Sequence, residues 1–171
     1  LGGLFTYANQ LEISPAEIAV FGQQCENDFV GCQCGIMDQL VSATGEKDHA
    51  MLLDCRSLKV SPTKLPQDLV VVIVNSNYPR KLVGSEYNVR REDCENAARK
   101  LGVTKLRDAD CTLLDKSKDL LTDNEYKRAK HVITENARVL DFTTALVKND
   151  IATMSKLMAA SHQSMRDDFE I

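Results

Sequence analysis

The sequence predicts an α+β fold, with a few strands followed by a helix-rich half. Three observations carry that expectation. Capping-box patterns at Ser14 and Thr122 mark helix starts. Residues 69–74 read Leu-Val-Val-Val-Ile-Val, a β-branched run of strand length. From Cys94 onward, apolar residues recur at helical spacing. A chain of 171 residues, 43% hydrophobic and 27% charged, is long enough for a packed domain and ordinary in composition for a soluble globular protein.

Residues 4–11 read as the last turns of a helix. Ser14 then suits the N-cap of the next, with Pro15 at the first helical position and Glu17 completing the box. Ile13 and Ile18 occupy the two positions of a hydrophobic staple. This helix is expected to reach about Phe29 and end near Gly31. A short loop with Gly31, Cys32, Gln33, Cys34 and Gly35 follows, and another helix starts around Ile36 and closes near Gly45. Residues 50–55 read as a strand. Residues 57–67, with Pro62 and Pro66, read as a surface linker. The run within 68–75 reads as a strand buried on both faces.

Cys94, Ala97, Ala98 and Leu101 share one helical face. Thr122 and Glu125 open a long helix through Ala129, Ile133, Ala137 and Leu140, which Asn149 and Asp150 break. Ile151, Met154, Leu157, Met158, Ser161 and Met165 line a final amphipathic helix, with the methionines as core filler.

The formal charge of −4 offers no basic excess for nucleic acid or an anionic membrane surface. The longest apolar run, 69–74, falls far short of the ~20 residues that span a bilayer. The six cysteines fit no small disulfide framework. Cys32 and Cys34 form a CxC with no second pair or nearby histidine to complete a zinc site. Structural thiols in a reducing, cytoplasmic compartment are the expectation. Residue 1 is Leu and neither end has a tail-like composition, so both read as internal to a longer chain.

No phosphate-loop, dinucleotide, nucleophile-elbow or zinc-protease motif is present in the sequence. His49, His131 and His162 lie far apart and read as structural or exposed. The 31–39 stretch passes two glycines and places Asp38 in the first turn of a helix, where the dipole favours an ionised carboxylate. On spacing alone, a capping aspartate remains the default for Asp38. A partly buried ring is the default for Tyr87, and a solvated helix carboxylate for Glu26.

The run Cys34-Gly35-Ile36-Met37-Asp38-Gln39-Leu40 resembles the mid-chain motif of galactokinases, members of the GHMP small-molecule kinase superfamily. The resemblance continues through Lys47-Asp48-His49-Ala50, Leu53-Asp54-Cys55-Arg56-Ser57-Leu58 and Asn75-Ser76-Asn77. It extends through Gly84-Ser85-Glu86-Tyr87-Asn88-Val89-Arg90-Arg91, the stretch from His131 to Arg138, and Ser164-Met165-Arg166-Asp167-Asp168-Phe169-Glu170. It is weakest over 101–119.

The resemblance implies the two-lobed GHMP fold. Residues 1–171 would span the end of the N-terminal lobe and the start of the C-terminal lobe. The N-terminal sugar signature, the ATP phosphate loop and the C-terminal glycine-rich motif would lie outside them. It implies phosphorylation of the C1 hydroxyl of α-D-galactose by ATP with Mg²⁺, giving galactose 1-phosphate. Asp38 matches the aspartate assigned as catalytic base, Gly35 a backbone contact to the sugar, Tyr87 a tyrosine that contacts galactose, and Glu26 a glutamate that helps hold Mg²⁺. An N-acetylgalactosamine kinase and a non-catalytic galactokinase-like sugar sensor are the alternatives. These residues alone would not turn over ATP.

Overall fold

Ser14 caps its helix as the sequence predicts. Its hydroxyl accepts from the Glu17 N–H, and the Glu17 carboxylate accepts from the Ser14 N–H at 2.8 Å. The structure is a computed structural model that describes residues 1–75, 77 and 86–171. The chain divides into two compact units, Leu1–Gly84 and Ser85–Ile171.

In the first unit, α1 (Gly2–Ala8) precedes α2 (Pro15–Gln24). The last turns of α2 widen into a π-helix, Cys25–Val30. Gly31 stops it with φ of 80°, a left-handed conformation that suits a residue without Cβ. After the 31–35 loop, α3 (Met37–Thr44) packs on α2. The approach is close at Gly22, where a Cβ would stand 3.2 Å from the Gln39 side chain. Ala19, Ile36 and Leu40 form the buried centre, and Leu53, Leu58 and Val60 cover it from the hairpin that follows.

That hairpin pairs β1 (His49–Asp54) antiparallel with β2 (Lys59–Lys64), from His49 opposite Lys64 to Asp54 opposite Lys59. The expected surface linker at 57–67 is therefore a strand through its middle, Lys59–Lys64. Pro62 lies opposite Met51. Within the described residues the sheet has only these two strands, so both are edges, where a residue lacking N–H is tolerated. The turn is tied by Asp54, whose carboxylate accepts from the Arg56 N–H (3.0 Å) and the Ser57 hydroxyl (2.9 Å).

The 69–74 run departs further from expectation. It forms no strand, and Val70, Val71, Val72, Ile73 and Val74 are 76–92% exposed. A strand needs a partner to satisfy its N–H and C=O groups, and the two described strands bond to each other.

The second unit is helical. α4 (Glu86–Lys100) and α6 (Asp123–Val147) pack around Ala97, Ala98, Leu101, Ala129 and Ile133. Between them, α5 (Cys111–Lys116) and two 3₁₀ turns add Leu106 and Leu114 to this core. These short elements fall largely within 101–119, the stretch where the family resemblance is weakest. Asp110 caps α5 by accepting from the Leu113 N–H at 2.7 Å. The Thr122–Glu125 capping box opens α6. Asn149, at φ of 52°, and Asp150, which caps α7 (Ile151–Asp167), separate the last two helices. Met154 is buried and Met165 half-buried, but Met158 is exposed, as are Ala137 and Leu140 on α6. The apolar face expected there is narrower than its spacing suggested.

Among the described residues no helix is long and apolar enough to cross a membrane. Gly84 and Ser85 of the Gly84-to-Tyr87 motif, and Ser76, lie outside the described residues.

Candidate functional site

The 31–35 loop is held from three sides by amide side chains. Gln23, on α2, donates to the Cys34 carbonyl at 3.2 Å. Gln33 reaches back to the Asn27 carbonyl at 3.2 Å, and the Cys34 thiol donates to Asn27 Oδ1 at 3.7 Å. Gln39, on α3, donates through Nε2 to Cys34 Sγ at 3.7 Å. The loop backbone is also bonded: the Cys32 N–H donates to the Glu26 carbonyl at 3.0 Å. Each contact replaces water that the loop would otherwise need for its polar groups. Sequence reasoning missed these positioning residues. A usable signal was present: Gln23 and Asn27 are four apart, and so share one helix face.

The loop leads into α3 and its first-turn carboxylate. Asp38 is exposed. The N-cap position is taken by Ile36, and no side chain caps the helix. Among the described residues Asp38 makes no hydrogen bond or ion pair, which separates it from the capping aspartates Asp110 and Asp150. Gly35 is exposed, and a Cβ there would meet nothing within 4 Å among the described residues. Open space therefore adjoins its backbone, three residues before Asp38.

Glu26 sits half-buried in the first turn of the π-helix. Its charge and the neighbouring Cys34 add to burial in pushing the Cys32 thiol up. Among the described residues no cluster of three His, Cys, Asp or Glu side chains could hold a metal. A lone carboxylate does not make a protein cage for a cation. It does fit Mg²⁺, which usually takes one or two carboxylates and completes its shell with phosphate oxygens and water. Tyr87 belongs to the second unit, in the first turn of α4, and is 40% exposed.

A separate groove of about 940 Å³ lies between α1, α2 and α3, walled by Phe5, Ile13, Ile18 and Phe21. It includes Gln39 but neither Gly35 nor Asp38. Its apolar lining offers few partners for a polyhydroxylated ligand, so the loop and not the groove is the candidate site.

The histidines are structural or surface groups. His131 is buried and its Nδ1 lies 2.9 Å from the Ser164 hydroxyl, which itself donates to Asp168 Oδ2 at 3.0 Å. His49 Nδ1 stands 2.7 Å from the Lys47 carbonyl, and His162 is exposed.

No protein-family model matches the chain. The helix-rich architecture with its small sheet has the fold of a segment of a galactokinase, within the GHMP class of small-molecule kinases. The solved structure concerned is Lactococcus lactis galactokinase complexed with galactose. It matches at a TM-score of 0.93 and 31% identity, covering 99% of this chain and 45% of that one. The chain thus spans less than half the length of the enzyme it resembles.

Proposed function

We propose that these residues form one wall of the sugar site in an enzyme that transfers the γ-phosphoryl group of ATP to the C1 hydroxyl of α-D-galactose. The observation that carries this reading is the match, along nearly the whole chain, to a galactokinase complexed with galactose. The open loop at Gly35 and the unengaged carboxylate of Asp38 are consistent with it.

Phosphoryl transfer proceeds through a loose transition state with little covalent chemistry for the protein to perform. Positioning and charge stabilisation dominate. In this reading, the Asp38 carboxylate accepts a hydrogen bond from the C1 hydroxyl, orients it towards the γ-phosphorus and takes its proton as the new P–O bond forms. General base action of this kind contributes ~10²–10⁴ in rate. The Gly35 backbone and the Tyr87 ring contact the sugar. Glu26 would supply one oxygen ligand to the Mg²⁺ that accompanies ATP, an ion that would neutralise charge on the phosphates.

The test uses an enzyme of galactokinase length that contains these residues, supplied with galactose and Mg-ATP. Phosphorus NMR is expected to show an anomeric sugar phosphate appearing as ADP forms. Preferential phosphorylation of N-acetylgalactosamine would reassign the substrate. Binding of both galactose and ATP without transfer would make the protein a sensor.

A further inference from the structure

We propose that Cys32 and Cys34 form a reversible dithiol–disulfide pair that is oxidised by a small disulfide such as oxidised glutathione. The six cysteines of the chain are free thiols, and this is the closest pair in sequence. The backbone brings the two together. The Cys34 N–H donates to the Cys32 carbonyl at 2.7 Å, which closes a three-residue γ-turn. Such a turn folds residues i and i+2 back to a Cα separation of about 5.5 Å, within the range a disulfide accepts. Cys94 is the contrast, because it stands well apart from the other cysteines in sequence. Its nearest neighbour among them, Cys111, is 17 residues away.

The two sulfurs have distinct roles. Cys34 is half-buried and Cys32 is buried, so an oxidant meets Cys34 first. The Cys34 thiolate attacks one sulfur of oxidised glutathione, expels a glutathione thiolate and leaves a mixed disulfide. The Cys32 thiolate then attacks Cys34 Sγ and expels the second glutathione. Two protein thiols become one disulfide, the two electrons pass to oxidised glutathione, and both protons leave with two molecules of reduced glutathione. A ring closed over one intervening residue is strained, and strained disulfides are the readily reduced, regulatory kind.

Oxidation also has a structural consequence. Cys34 Sγ links Asn27 to Gln39. Turning it towards Cys32 breaks both contacts. Among the described residues the Gln39 Oε1 is already buried without a partner, so within them its amide would then be wholly unpaired. The first turn of α3, which carries Asp38, loosens in consequence. Under the function proposed above, thiol redox state would thus reach the sugar site. The oxidation itself does not depend on that function.

Mass spectrometry of the 171-residue chain tests the pair. Cleavage after Glu26 and Glu46 isolates peptide 27–46, which contains only these two cysteines. After equilibration in glutathione buffers and blocking with iodoacetamide, oxidising buffers are expected to give a peptide lighter by two hydrogens, with no alkyl group. Reducing buffers should return the doubly alkylated form. Cys32→Ser should trap one glutathione on Cys34. Two alkylated cysteines, or persistent glutathione on the wild-type peptide, in every oxidising buffer would overturn the pair. Amide exchange over residues 36–40 should quicken at least about threefold on oxidation. Unchanged exchange in a chain shown to be oxidised would overturn the coupling to α3.

Discussion

A carboxylate in the first turn of a helix can serve as a cap or as a chemical group, and Asp38 can be tested for the difference. A capping side chain accepts from an N–H two or three residues on, as Asp110 does from Leu113 and Asp150 from Thr153. Asp38 lies past the N-cap of α3 and holds no such bond. Asp38→Asn is therefore expected to leave stability within about 0.5 kcal/mol, as for surface changes away from caps and cores. In an active enzyme containing these residues, phosphoryl transfer should fall at least ~10²-fold, because an amide neither takes a proton nor carries the charge. Single-turnover kinetics at saturating galactose and ATP would falsify the base assignment by showing more than about a tenth of wild-type chemistry. Tyr87 calls for the opposite pattern. A ring lying against a sugar binds ground and transition states alike, so Tyr87→Ala should raise the galactose KM by roughly tenfold with kcat little changed. Loss of kcat at constant KM would mean that the ring positions the reacting hydroxyl instead.

At the level of elements, residues 69–74 combine high β-propensity with exposure. Five consecutive β-branched side chains stand exposed, their backbone groups bonded to no described residue, and the run contains no charge and no proline. These are the features of an aggregation-prone segment. The 171-residue chain is expected to self-associate at micromolar concentration. Val72→Lys should reduce light scattering several-fold at unchanged far-UV circular dichroism, since Val72 is 76% exposed. Equal scattering by the two proteins would place the association elsewhere. The same run shows where sequence stops predicting structure. Local chemistry specified the two capping boxes, the Gly31 stop and the Asn149–Asp150 break, because each depends on neighbours in sequence. A strand depends on a partner that its own residues do not name, so the buried-strand expectation for 69–74 failed and β2 was hidden behind Pro62. The candidate site divides in the same way. Asp38 and Gly35 were legible through their motif, whereas the amides that hold the loop came into view only once α2 and α3 were packed together.

At the scale of the whole molecule, net charge of −4 says little about stability, because the decisive ionisations are concentrated in the second unit. His131 lies beneath Phe169, with ring centroids 4.6 Å apart, and takes its place in a chain from its Nδ1 through Ser164 to Asp168. Burial holds its pKa below the usual 6.5, with the Glu135 and Asp168 charges opposing and Arg138 and Arg128 assisting. The unfolded chain therefore binds this proton more readily than the folded one. Stability is complete above pH ~6.5 and declines as pH falls from there through the lower folded value. A second loss belongs to the carboxylates. Burial pushes Glu125 up, but the Lys100 ammonium at 2.7 Å and the Thr122 N–H outweigh it and leave its pKa lowered. Glu135 behaves likewise through Ser161 and Arg138. A lowered carboxylate contributes stability above its unfolded value near 4.5 and loses it as pH falls through the folded one. Acid should thus weaken the second unit in two stages. Thermal unfolding followed by circular dichroism is expected to show Tm falling between pH 7 and pH 5.5. His131→Asn keeps a donor for Ser164 but cannot ionise, so it should remove this first stage and leave the loss below pH 4.5 in place. An equal decline of both proteins between pH 7 and pH 5.5 would show that the first stage does not originate at His131.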